Sequence, residues 1–132
     1  MSSRFDRGAL SLGVVLACTG AALHYALRDR PRTGLADTSV VVFLEQYGPV
    51  WPVLFGAAAG VVLVALLSGR AVVPAHLAAA AVLVGYATAL WFTAAAFGSG
   101  WVTASMSTGL AVHALVLAGS YGQVRGRAWM RR

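Results

Sequence analysis

Charged residues are scarce in this chain. Asp, Glu, Lys and Arg together make up 11% of its 132 residues, whereas a typical soluble domain contains about 25%. Between Val50 and Gln123 the one charged residue is Arg70. A water-soluble helical bundle carries a charged face on each helix. The composition therefore excludes an ordinary soluble bundle and predicts that much of the apolar surface faces lipid.

Three further absences argue against known classes of small membrane protein. The single cysteine, Cys18, cannot form an intramolecular disulfide, and four-span quinone-coupled disulfide enzymes need paired cysteines. The chain contains no asparagine, whereas the small fluoride channels depend on an asparagine-bearing motif. No carboxylate lies inside an apolar run. Proton-coupled transporters usually keep one there, as the small multidrug transporters do in their first span.

The residues that are present form four long apolar runs. We predict membrane spans at about 8–27, 50–67, 72–97 and 101–121. About 20 helical residues rise about 30 Å, which is the thickness of the hydrocarbon core. Short connections between the last three spans predict antiparallel neighbours. The sequence thus predicts an all-α integral membrane protein, a single membrane domain over 1–132 built as a four-transmembrane-helix antiparallel bundle.

Residues 28–49 form the longest predicted loop, and it contains the short apolar stretch 40–44. Five residues are too few to cross a bilayer. We therefore expect this stretch to lie at the membrane surface, or to form a short helix or turn packed over the bundle.

The distribution of arginine predicts the orientation. All ten basic residues are arginines. With both termini in the cytoplasm (N-in/C-in), seven arginines lie on the inner side and three on the outer side, and the positive-inside rule favours this arrangement in the cytoplasmic membrane. The inner set is Arg4, Arg7, Arg70, Arg125, Arg127, Arg131 and Arg132; the outer set is Arg28, Arg30 and Arg32.

Aromatic and basic residues at the predicted span ends are expected to act as interfacial anchors. This set is Trp51, Trp101, Arg125, Arg127, Trp129, Arg131 and Arg132, and the last five lie in the predicted basic cytoplasmic tail, 122–132. The formal net charge is +6. Because the arginines flank apolar runs, membrane lipids explain this charge better than nucleic acid does.

Small residues predict where helices pack. Gly56 and Gly60 form a GxxxG pair, and glycines four apart lie on one helix face, where another backbone can approach closely. Gly85 and Gly109 mark similar faces on the third and fourth spans. These faces suit either a compact bundle within one chain or a homo-oligomer, and both remain open.

Few residues could carry chemistry. His113 lies roughly 12 Å from the inner end of the fourth span, and His76 lies in the first turns of the third. We expect each to be a neutral histidine bonded across helices, for example to Thr88 or Ser107. No catalytic or phosphate-binding motif is present. The sequence therefore predicts a protein that is not an enzyme and has no cofactor and no metal.

Taken as a whole, the chain resembles the small four-span membrane proteins of actinobacterial phages and their hosts, some of which are holin-like. The resemblance covers the whole chain and rests on length, span count, Arg/Ala/Gly-rich composition and the basic tail. It implies a non-enzymatic protein that acts by helix packing or oligomerisation, and a holin-like member would open a membrane lesion. Two alternatives are an accessory subunit of a larger membrane complex and a small channel or transporter.

Overall fold

A computed structural model describes residues 4–27, 40–46, 48–98 and 100–129. For residues 4, 5 and 124–129 it describes the backbone alone. Every element in these ranges is an α-helix. The helices are α1 (Arg4–Leu27), α2 (Val40–Glu45), α3 (Val50–Ser68), α4 (Val72–Phe97) and α5 (Trp101–Trp129). Four of them contain segments long and apolar enough to cross a membrane: Asp6–Leu27, Val50–Ser68, Val72–Phe97 and Trp101–Gln123. The prediction of an all-helical chain with four apolar spans is confirmed.

Left-handed residues separate the last three helices. Gly69 follows α3 with φ 63° and ψ 13°, and Gly98 follows α4 with φ 68° and ψ 15°. Glycine adopts this conformation without a Cβ clash, and the Gly98 N–H donates to the carbonyl of Ala94 at 2.9 Å. Ala71, just before α4, is also left-handed, with φ 53°. These turns are so short that α3 and α4, and likewise α4 and α5, must be neighbours.

The four long helices form a closed ring in the order α1, α3, α4, α5. The contact between α4 and α5 is the most extensive, followed by that between α1 and α3. Contacts between α3 and α4 and between α1 and α5 complete the ring. In this arrangement α1 and α4 face each other diagonally, so a side chain must cross the centre to join them.

Most of the side chains that are buried between the helices are alanines. Large apolar side chains are often directed outward instead: Leu16 is 65% exposed and Leu67 is 81% exposed. In lipid, helices gain little by burying large apolar groups, so small residues that let backbones approach dominate the interfaces. The buried alanines are Ala58, Ala59, Ala65, Ala75, Ala79, Ala80, Ala87, Ala89, Ala94, Ala104, Ala111, Ala114 and Ala118.

The short apolar stretch in the first loop forms α2, which lies against α3 and α4. Val41 is buried, and its carbonyl accepts a hydrogen bond of 3.2 Å from the indole N–H of Trp51. Of the arrangements expected from the sequence, the structure has the short helix packed on the bundle.

Two helices extend beyond the predicted apolar spans. α1 begins at Arg4, so Asp6 and Arg7 belong to its first two turns, and α5 continues through the basic tail to Trp129. Hydropathy predicts where the chain leaves the lipid, but the helical hydrogen bonding of the backbone can continue beyond that point. The extension of α1 places Arg7 beside Ser120 and Tyr121 of α5.

We predict that Ala114→Leu lowers the free energy of unfolding by about 1–3 kcal/mol, because the added side chain has no space in a completely buried position. Thermal unfolding in detergent measures the change. Ala95→Leu is the matched control, since Ala95 is exposed on α4 and the same enlargement there meets lipid or detergent. Equal stability of the two variants would contradict the alanine-packed interface.

Candidate functional site

His76 is completely buried near the start of α4 and lies at the centre of a polar network. Its Nδ1 lies 2.8 Å from the carbonyl oxygen of Val72, and its Nε2 lies 3.0 Å from the hydroxyl of Ser11 on α1. A carbonyl can only accept, so Nδ1 carries the proton that is donated to Val72. In the neutral ring Nε2 then accepts from the Ser11 hydroxyl. This bond joins the diagonal helices α1 and α4.

The network continues to α5. The hydroxyls of Ser11 and Tyr121 lie 3.1 Å apart, and because Ser11 donates to His76, Tyr121 donates to Ser11. The Tyr121 ring also lies beside the His76 ring, with centroids 5.4 Å apart. We call Arg7, Ser11, His76, Ser120 and Tyr121 the His76 network. It connects three of the four long helices through directed hydrogen bonds.

Arg7 supplies the charge of the His76 network. Its guanidinium carbon lies 5.7 Å from the centre of the Tyr121 ring, within the range of a cation–π contact. One terminal nitrogen donates to the carbonyl of Ser120 at 3.5 Å. That carbonyl lies in the C-terminal part of α5, nine residues before Trp129. Arg7 and Ser11 are four residues apart, so both reach this region from one face of α1.

A second cluster consists of aromatic rings from three helices. The hydroxyls of Tyr25 on α1 and Tyr86 on α4 form a hydrogen bond. Trp51 and Phe55 of α3 pack edge-on against Tyr86, with centroids 4.9 and 5.0 Å away. Such edge-to-face pairs stabilise packing beyond the area that they bury. This aromatic cluster joins the end of α1 and the start of α3 to α4.

The structure describes two of the predicted anchoring residues in full. The Trp51 side chain is 4% exposed and lies inside the aromatic cluster, whereas Trp101 is 47% exposed and contacts Trp91. For Arg125, Arg127 and Trp129 only the backbone is described, and Arg131 and Arg132 lie outside the described residues. Their role as interfacial anchors stays a prediction.

His113 is half-buried on α5, and its ring forms no hydrogen bond with a described residue. The two histidines therefore differ: His76 belongs to a network, and His113 does not. Within the described ranges, no group of three or more His, Cys, Asp or Glu side chains could hold a metal ion.

The hydroxyls of α4 and α5 mostly bond to the backbones of their own helices. Thr93 donates to the carbonyl of Ala89, and Ser107 donates to that of Thr103, each at 2.9 Å. Thr88 and Thr108 also bond to the carbonyls four residues earlier. This is the usual behaviour of Ser and Thr in membrane helices. The hydroxyl that His76 uses is on Ser11, which sequence reasoning did not select.

The predicted packing glycines lie on the surface of the bundle. Gly56, Gly60, Gly85 and Gly109 are all exposed, and a Cβ built on any of them would meet no atom within 4 Å beyond its chain neighbours and its own helix backbone. Gly56 and Gly60 border an open groove of about 370 Å³ between α1 and α3. No close helix approach among the described residues requires these glycines, so their faces are free for another molecule.

Comparison with protein-family models, curated proteins and solved structures finds no match to this chain. Its function must therefore be inferred from its own residues.

We predict that His76→Ala lowers the free energy of unfolding by about 1–3 kcal/mol, because Ser11 loses its acceptor and a buried space opens. Thermal unfolding in detergent measures the loss. His113→Ala serves as the comparison, since it removes the same side chain from a half-buried position without breaking a hydrogen bond to a described residue. A His113 variant as destabilised as the His76 variant would count against the network.

Proposed function

We propose that this chain is a non-enzymatic protein of the cytoplasmic membrane that acts by self-association of its helical bundle. The observation that carries the proposal is the exposed face of α3 around Gly56 and Gly60. Both glycines are open to the surroundings, with no atom near a Cβ built on either. In membranes, such pairs let a second helix approach backbone to backbone.

The rest of the chain supports an intermolecular role for this face. The bundle's own interfaces are closed by alanines, and the groove beside Gly56 and Gly60 has mostly apolar walls, with Val15, Leu23 and Leu63 among its lining residues. An apolar helix from a second copy could lie there without desolvating a charged group. Self-association explains why small residues remain on a surface that has no intramolecular partner.

We further propose that the four long helices alternate in direction, with both termini in the cytoplasm. The His76 network brings together the starts of α1 and α4 and the end of the apolar segment of α5, Trp101–Gln123. The aromatic cluster brings the end of α1 to the start of α3. These contacts suit alternating helices, and the seven-to-three division of arginines favours placing the His76 network near the inner surface.

Reporter fusions test this orientation. A fluorescent protein fused after Arg132 should be bright and an alkaline phosphatase fused there inactive, because the arginine-rich end stays in the cytoplasm. The same reporters placed at residue 35 should give the opposite result. Phosphatase activity at the C-terminus, with full-length fusion in the membrane fraction, would overturn the proposed orientation.

We predict that the double variant Gly56→Leu/Gly60→Leu dissociates at concentrations at which the wild-type chain is oligomeric, with association weakened at least about tenfold. The reason is that two leucines hold the facing backbones apart. Analytical ultracentrifugation in detergent measures the state. Ala57→Leu is the control, since Ala57 is exposed on the same helix but does not line the groove. A monomeric wild type, or an unchanged double variant, would refute self-association through this face.

The consequence proposed for self-association is a holin-like membrane lesion. Expression of the chain alone under tight induction should then cause dye entry and loss of viability, and the double variant should be harmless at equal abundance. A second candidate is an accessory subunit, in which the same exposed face receives a different membrane protein. Harmless expression with rapid degradation of the isolated chain would favour the subunit over the lesion.

A further inference from the structure

A second groove, of about 450 Å³, lies between α3 and α4 beside the turn that joins them. Val61, Val64 and Ala65 supply apolar wall on α3, and Pro74 and Ala75 supply it on α4. Ser68 and Arg70 lie at the end of the groove that borders the turn. The groove thus combines a long apolar part with a polar mouth at one end.

Arg70 gives the mouth its charge. It is exposed, it is the one charged residue between Val50 and Gln123, and it forms no ion pair with a described residue. The Ser68 hydroxyl accepts the backbone N–H of Arg70 at 3.3 Å, which braces the turn while the guanidinium stays available. Arginine binds phosphate oxygens through paired hydrogen bonds. An anionic group is therefore the natural partner of this mouth.

The length of the groove indicates what lies in it. From Gly60 to Ser68, the last residue of α3, is eight residues, or about 12 Å at the helical rise, and Arg70 lies beyond that end in the turn. The hydrocarbon of one leaflet is about 15 Å thick, so the groove covers most of one leaflet. A molecule with a phosphate at Arg70 and an apolar chain reaching Gly60 would match both ends. A phospholipid of the leaflet next to Arg70 has these dimensions.

We propose that this groove is a binding site for one anionic phospholipid, with its phosphate held by Arg70 and an acyl chain lying along Val61 and Val64. The proposal rests on the membrane location proposed above and does not depend on self-association. A free phosphate would use only the mouth and leave the apolar walls without a role.

Native mass spectrometry of the purified full-length chain tests the proposal. The chain is titrated with phosphatidylglycerol or with phosphatidylcholine of the same acyl chains. We expect phosphatidylglycerol, which has a net negative charge, to bind more tightly, and Arg70→Gln to weaken its binding about fivefold and that of zwitterionic phosphatidylcholine less. Arg132→Gln removes an equal charge outside the groove and should have no comparable effect. Equal losses in the two variants would show non-specific attraction and overturn the proposal.

A second pair of variants tests the apolar part. Val64→Trp should fill the groove and weaken binding of both lipids, whereas Val53→Trp enlarges an exposed residue of α3 that does not line the groove. Excess inorganic phosphate should not displace the lipid, and displacement would mean that the mouth binds phosphate without need of the groove. Absence of the chain from the membrane fraction would instead refute the proposed function. Lipid binding with a monomeric chain would leave the lipid site standing and remove self-association.

Discussion

Close approach of alanine-lined helix faces is the condition on which this bundle depends. In lipid, a leucine gains almost nothing by moving from acyl chains to a protein interior, so large side chains do not drive the helices together. Backbones that approach closely gain dispersion contacts over a long interface instead. The completely buried alanines, among them Ala79, Ala94 and Ala114, permit that approach, and the outward leucines and valines supply the surface that lipid requires.

Alanine faces alone do not determine how the helices align, because a helix that is shifted or rotated to present another alanine would pack in much the same way. The polar and aromatic clusters supply the missing specificity. His76 can satisfy both ring nitrogens only where Val72 and Ser11 meet it, and Tyr121 completes the chain of donors. At another level the Tyr25–Tyr86 hydrogen bond and the rings of α3 set a second point of contact. Two such points of contact oppose sliding and rotation of the helices.

The outer surface of the bundle has two features that the packing of its interior does not require. The glycine face of α3 and the groove that ends at Arg70 lie on the two sides of the same helix, and both include Gly60 in their linings. A second chain and a lipid would therefore occupy neighbouring surfaces.

Hydropathy alone was enough to find the four apolar helices, because a run of about 20 apolar residues has few alternatives to a membrane helix. The short connections likewise made α3, α4 and α5 neighbours. Which faces meet could not be read this way: every face is apolar, and glycine and alanine predict packing equally well. The pairing of His76 with Ser11, 65 residues away, and the exposure of Gly56 and Gly60 depend on how the helices rotate against one another, which only the assembled bundle decides.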